Sequence, residues 1–429
     1  MTGGWRATHA QVRAVAVAAV LLAVAVLGRR PDLAVLGLPF AVLAVWGAFT
    51  RPSGQPAATA VLDVTTLFEG QATRLRIGYD AGGPGTDLVV VAVPRGRWLQ
   101  FEPRSGALAV PARDEIELLV RSQRWGLRQV EPPQVVGTSL LGAYRTETLH
   151  TALPAVTTWP LREGFTAVDA VPRPAGLVGL HRSRRPGDGT EIAGVRPFQL
   201  GDRLRRVNWA VTARTGELHV TSTWSDRDTE VVVLLDSSDD VGVSDGIDGR
   251  SSSLDIAARA AAAIAEHYLR HGDRVRLVDT GSTVRAVRPG TGRAHLRRIL
   301  DVLVHADPRA TQLQPAYLMR RHRIRAGSLV IVLSPLLREL ILGHVVSFVH
   351  AGCTVIVVDT LPADLGRAAE YADRRAWALA WRLRLLERQG EIERLGDLGV
   401  PTVAWSGAGT LDEVLRNASR LSAAPRVRT

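Results

Sequence analysis

The residues whose types and spacing could do chemistry lie between Glu191 and Asp240. An apolar run, Val231 to Leu235, ends in Asp236-Ser237-Ser238-Asp239-Asp240. A β-branched run without alternation reads as a strand buried on both faces. Carboxylates and hydroxyls at its C-terminal end stand where open α/β sheets place a ligand crevice. An all-oxygen set of this kind suits a hard cation such as Mg²⁺. Just upstream, Arg196, Phe198, Gly201, Asp202, Arg205, Trp209 and Arg214 form a dense polar segment. Asp202 among guanidinium groups can accept forked, bidentate hydrogen bonds. Gly201 permits a positive φ and a tight turn that presents Asp202. Trp209 offers a face on which a guanidinium can sit. The segment reads first as a structural clasp on the following domain, and second as a partner surface.

Other chemistry fails on inspection. His267 and His271 are four residues apart, but no third ligand accompanies them, and a helix C-terminus favours their charge. No Gly-x-Ser-x-Gly elbow supports a nucleophilic serine. The Gly82–Gly85 turn opens no helix, so it cradles no phosphate. Gly290-Thr291-Gly292 reads as a capping turn. The one cysteine, Cys353, lies in an apolar run; it can form no internal disulfide, and it reads as a buried inert thiol.

The elements that must position these residues alternate strand and helix from Glu230 to Thr429. A helix over about 254–269, capped by Ser253, follows the first strand. Strands at 274–279, 284–287, 329–333, 354–358 and 402–405 alternate with helices, the last over 411–421. That alternation predicts a doubly wound parallel sheet. Residues 56–162 instead carry short strands between Gly/Pro turns, which predicts a β-sandwich. Residues 163–229 are a connector, loose as far as Gly189, that holds the polar segment.

Residues 1–55 hold two apolar runs, Ala14–Gly28 and Leu33–Phe49, split by Arg29-Arg30-Pro31-Asp32. Each is at the short end of the roughly 17–25 residues that cross a bilayer. The second run and the lack of a cleavage site argue against a secretory signal. We therefore expect a two-helix membrane hairpin, so the lipid bilayer is one partner. Arg6, Arg13 and Arg51 outnumber Arg29 and Arg30, which leans the soluble region to the cytoplasm. The chain has 53 Lys+Arg against 42 Asp+Glu, a net charge of +11. All 53 are arginine, which points to genomic base bias. Arg320, Arg321, Arg323 and Arg325 form the one tight basic cluster and read as a solvated helix face. Aromatics at 5% show no stacking platform, which argues against nucleic acid.

The spaced set Arg196, Phe198, Gly201-Asp202, Arg205, Trp209, Ala213-Arg214 and Asp236-Ser237-Ser238 resembles the domain-of-unknown-function 58 family. Phe198 stands where that family usually has tyrosine, and Leu200 where proline is common. The resemblance implies a membrane-anchored chain ending in a von Willebrand factor A-like domain. That fold often carries a metal-ion-dependent adhesion site, which would use Asp236, Ser238 and Thr311, with Asp240 in place of a second serine. Leu333-Ser334-Pro335 puts proline where the last aspartate is expected, so the set reads as degenerate and serving as a surface, with no cofactor required. The resemblance further implies a MoxR-type AAA+ ATPase as partner. We expect a non-enzymatic assembly adaptor with no small-molecule substrate. The alternatives are a Mg²⁺-dependent hydrolase at the Asp236 strand edge and an anionic-lipid or nucleic-acid binder driven by net charge.

Overall fold

The computed structural model describes residues 4–161, 183–199, 202, 204–225, 230–281, 284–308, 324–363, 365, 374–405 and 407. The last predicted helix, Thr311, Gly201 and most of the Arg320–Arg325 cluster lie outside them. The chain divides into two compact units, Met1–Trp159 and Pro160–Thr429.

In the first unit, helices α1 (His9–Leu27) and α2 (Pro31–Phe49) are each 19 residues long. At 1.5 Å per residue each spans about 28 Å, close to a bilayer's hydrocarbon thickness. Both are long and apolar enough to cross a membrane. Their outward positions remain apolar, with Val12, Val26, Leu36, Val42 and Phe49 exposed. One polar side chain is turned inward: Gln11 donates to the Ala44 carbonyl across the hairpin, 3.0 Å. Gly47 makes room for it, since a Cβ there would meet the Gln11 amide at 2.6 Å.

The strands of this unit are β1 (Trp5–Ala7), β2 (Ala57–Leu62), β3 (Thr66–Phe68), β4 (Ala72–Asp80), β5 (Thr86–Ala92), β6 (Leu99–Glu102), β7 (Ala107–Pro111), β8 (Ile116–Ser122), β9 (Gly126–Arg128), β10 (Gln134–Ser139), β11 (Tyr144–Thr146), β12 (Leu149–His150) and β13 (Val156–Trp159). They form a β2-β4-β8-β6 sheet, a β1-β11-β10-β5-β7 sheet with β12 beside β10, and a small β3-β13-β9 sheet. Inward residues of the two larger sheets, among them Leu75, Ile77, Leu118, Val89, Val91 and Val135, share one core. Period-two alternation along β4 and β8 supplies the buried faces. Residues 5–7, ahead of the hairpin, pair with β11 and so belong to this sheet.

In the second unit, β14 (Ser183–Pro197) pairs antiparallel with β15 (His219–Ser225). A loose connection is expected as far as Gly189, and the structure instead draws 183–189 into this pairing. Pro186, Gly187 and Gly194 weaken the strand signal there, and the register is irregular at those positions. Strands β16 (Glu230–Leu235), β17 (Arg274–Asp279), β18 (Arg285–Gly290), β19 (Leu329–Ser334), β20 (Thr354–Asp359) and β21 (Thr402–Ala404) form a sheet in the order β18-β17-β16-β19-β20-β21. All neighbours are parallel except the edge strand β18, which is antiparallel to β17. Val231 to Leu235 have no exposed surface, as the unalternating run predicts.

Helices cover both faces. Val232, Leu234, Val330, Val332 and Val357 pack with Ile341, Val345 and Phe348 of α6 (Glu339–His350) and Leu395 of α7 (Arg374–Asp397). On the other face α4 (Ser253–Arg270) lies against β16, β17 and β19 and beside α5 (Gly292–Leu303). Ser252, one residue before the expected cap, closes a capping box with Asp255 on α4. Cys353 is buried, and burial pushes its thiol up to about 11, which keeps it protonated and inert.

Candidate functional site

Strand order explains where the site falls. The chain leaves β16 toward β17 on one side and later returns through β19 on the other. The loops after β16 and β19 therefore part at the C-terminal edge of the sheet, a topological switch point. Asp236 follows β16, and Ser334 ends β19. Their side chains meet, with the Ser334 hydroxyl donating to Asp236 Oδ2 at 2.6 Å. The Ser238 hydroxyl donates to Asp236 Oδ1, and the Ser238 amide donates to the same oxygen at 3.3 Å. Asp236 and Ser238 are both buried.

A second carboxylate lies next door. Ser237 donates to Asp279 Oδ1 at the end of β17, and the Gly281 amide donates to the same oxygen at 3.1 Å. Asp279 Oδ2 is buried with no hydrogen-bond partner. Burial pushes the Asp279 carboxyl up to about 6, against the bonds from Ser237 and Gly281. Glycine is required at 281, because a Cβ would meet Ser237 Oγ at 2.3 Å.

The remaining acids of the motif turn elsewhere. Asp239 pairs with Arg338, whose Nη2 lies 2.8 Å from Asp239 Oδ1. Asp240 does not join Asp236: its Oδ1 accepts from the Leu254 amide at the start of α4, 3.2 Å. The first turn of a helix has free amides, and this carboxylate caps one of them. The all-oxygen set expected for Mg²⁺ is thus incomplete among the described residues. Asp236 and Ser238 come together, Asp240 is diverted, Thr311 lies outside the described residues, and Pro335 offers no side-chain ligand.

Sequence reasoning missed His344, on α6. It lines a small cavity with Asp236, Ser238, Thr280 and Arg338. The imidazole is 2% exposed, and neither ring nitrogen makes a hydrogen bond of good geometry. Burial holds it below the ordinary imidazole range, with Asp236 and the Leu340 carbonyl pulling the other way. A histidine inside an apolar helix reads as core, and only the pairing of β16 with β19 places it near Asp236.

The polar segment is built around one fork. Arg196 Nη1 and Nη2 donate to Asp202 Oδ2 and Oδ1, both at 2.7 Å. The Gln199 amide adds a bond to Asp202 at 2.9 Å. The Arg196 guanidinium, then the Gln199 amide, hold the Asp202 carboxyl below its usual range. Asn208 caps α3 (Trp209–Thr215) through the Val211 amide, 3.2 Å. Gly216 ends that helix with φ +77°. Phe198 is tied by its amide to the Leu218 carbonyl, 2.8 Å. The other expected members stand apart from the fork: Arg205 and Arg214 are exposed. Trp209 is 69% exposed, and among the described residues no guanidinium sits over it.

Comparison with known proteins gives similarity at family level only. Uncharacterized proteins of Mycobacterium tuberculosis (Rv1480) and Mycobacterium bovis (Mb1516) are 34% identical over 128 residues, 30% of this chain and 39% of each relative. The match therefore spans about two fifths of those relatives' length. Among solved structures, the alkylpurine DNA glycosylase AlkC of Pseudomonas fluorescens, bound to DNA containing an abasic site analog, is 12% identical. It covers 27% of this chain and 38% of its own, with a TM-score of 0.11, a likeness that carries no argument. Residues 194–380, which hold both the Arg196–Asp202 fork and the Asp236 strand end, match the family model described as "Protein of unknown function DUF58", so that segment is similar to this family.

Proposed function

We propose that this chain is a membrane-anchored, non-enzymatic assembly adaptor. In this reading the α1–α2 hairpin spans the bilayer, with the rest on the cytoplasmic side, as the Arg6, Arg13 and Arg51 excess favours. The two larger sheets of the first unit form a β-sandwich, and the β16-centred sheet is von Willebrand factor A-like. The docking face comprises the Trp209 segment and the Asp236 edge, and its partner is a MoxR-type AAA+ ATPase, the class implied by the family resemblance.

One observation carries the reading. Trp209 and Leu204, each 69% exposed, flank a segment whose backbone is held by the Arg196–Asp202 fork and the Asn208 cap. Large exposed side chains on a braced turn resemble the aromatic anchors that dominate protein interfaces. A clasp alone would need no exposed indole. Native co-purification tests this: full-length protein from membranes should bring down an AAA+ ATPase, and Trp209→Ala should lose it while folding normally. An undiminished yield of ATPase with Trp209→Ala would reject the adaptor.

A further inference from the structure

One end of the first unit's larger sheet carries the apolar hairpin and, beside it, an exposed apolar turn. β1 runs directly into α1, and β10 runs the same way, since both are antiparallel to β11. The turn joining β10 to β11, Leu140 to Ala143, therefore projects from the sheet end where α1 begins. Hydrogen bonds fix it there. The hydroxyl of Thr8, the residue that caps α1, donates to the Gly142 carbonyl at 2.7 Å, and the Thr8 amide donates to the Ala143 carbonyl at 2.9 Å. The exit of α2 is tied to the same end: Thr86 is paired with Ser139, and a Cβ on the preceding Gly85 would meet Pro52 Cα at 3.2 Å. Yet the leucines of the turn are not packed inside, for Leu140 is 38% and Leu141 65% exposed. Leu141 is also held at φ +56°, a region that leucine rarely enters. A leucine strained outward, with no core to fill, calls for an apolar surface outside the fold.

The charges beside the turn suit the same surface. Arg6 on β1 and Arg145 on β11 stand directly opposite in register, and both are exposed. Like charges so placed repel. Glu147 pairs with Arg6, which answers one charge of the two. Arg51, two residues after α2, adds a third guanidinium, 5.8 Å above the Tyr144 ring. We propose that the Leu140–Leu141 turn is a further membrane contact: its leucines enter the bilayer beside the hairpin, to a depth of about 5–10 Å, while Arg6, Arg51 and Arg145 take headgroup phosphates. The inference rests on the reading that the hairpin spans the bilayer, and on nothing in the second unit. Guanidinium groups bind phosphate through paired hydrogen bonds, and juxtamembrane arginines are drawn to anionic lipid. Tyrosine belongs at the membrane–water boundary. The bilayer, not a second protein, is the occupant because the turn is bonded to the helix end itself. A membrane that takes in α1 as far as Thr8 must meet the turn.

Full-length protein in nanodiscs of equal parts phosphatidylcholine and phosphatidylglycerol tests this. On a Cys353→Ala background, nitroxides are attached at Leu141→Cys, at Val20→Cys on the outward side of α1, and at Ser105→Cys, exposed just before β7 at the far end of the sheet. Collisions with oxygen, which enters lipid, and with a nickel chelate, which stays in water, read the depth of each label. Oxygen should outweigh nickel at Val20 and at Leu141, with Val20 the deeper, and the ratio should reverse at Ser105. Arg145→Glu should move the Leu141 label outward. A Leu141 label as open to nickel as the one at Ser105, with Val20 in lipid, would overturn the turn contact and leave the spanning hairpin standing. Protection of Leu141 from both reagents would assign the leucines to a protein neighbour and overturn it equally. An unchanged depth in Arg145→Glu would overturn the headgroup contact. A Val20 label in water would reject the hairpin itself, and the turn contact with it.

Discussion

Replacement of Arg388 tests how the Asp236 loop is held. Arg388 lies on α7 and is 8% exposed. Its Nε donates to the Pro335 carbonyl at 2.9 Å, in the loop directly after Ser334. Its Nη2 pairs with Asp359 at the end of β20, where the Asp359 side chain is also mostly buried. One guanidinium thus ties two strand ends beside the site. Arg388→Met keeps the length and removes the charge, leaving Asp359 buried without its cation. Breaking a buried pair from one side costs about 3–5 kcal/mol, and partial solvation of Asp359 places this case near 3 kcal/mol. At 1.4 kcal/mol per decade, amides of β19 and β20 should exchange with solvent about a hundredfold faster. Hydrogen exchange on the full-length protein reads those strands directly. Arg388→Met/Asp359→Leu removes both charges and should restore most of the protection, because no buried charge is left unpaired. If the double variant is as labile as the single, or if the single exchanges like the parent, the pair does not hold the loop.

The pH response of Asp279 follows from its sign. Its folded carboxyl titrates near 6, above the unfolded value, so folded protein binds the extra proton between about pH 4 and 6. The second unit should therefore gain stability as pH falls through 6 and lose it as pH rises. Asp279→Asn should flatten that dependence and raise stability at pH 7.5 by about 2–3 kcal/mol, from two pKa units at 1.36 kcal/mol each. Exchange of β17 amides across pH 4.5–7.5 would show it; a parallel pH curve for both proteins would refute it. In the hairpin, Gly47→Leu must displace Gln11 and its bond to Ala44. A lower melting temperature in detergent is expected, and an unchanged one would show that the helices do not meet at that point.

How much of this was legible in the sequence depends on whether the signal was local. Val231–Leu235 could be read as a buried strand because its lack of alternation reports burial on both faces. The Arg196–Asp202 fork was legible as chemistry, since a carboxylate among arginines has few other uses. The diversion of Asp240 was not, because the Leu254 amide it caps is set by where α4 begins. α7 misleads outright: Leu379, Leu383 and Leu386 are exposed, while Arg388 and Glu391 are buried. Arg384 and Arg388 are turned to the loop they brace, donating to the Leu337 and Pro335 carbonyls. Pairing of residues 5–7 with β11 joins positions more than 130 residues apart, and no local pattern encodes it. His344 belongs to the same class, for its meaning comes from a neighbouring strand.

The docking claim is tested most directly by measuring the affinity of the purified AAA+ ATPase for this protein in lipid nanodiscs, as parent, Trp209→Ala and Asp236→Asn. The account predicts saturable binding to the parent, weakened at least tenfold by each substitution, with circular dichroism and hydrogen exchange elsewhere unchanged. Equal affinity for all three folded proteins would contradict it.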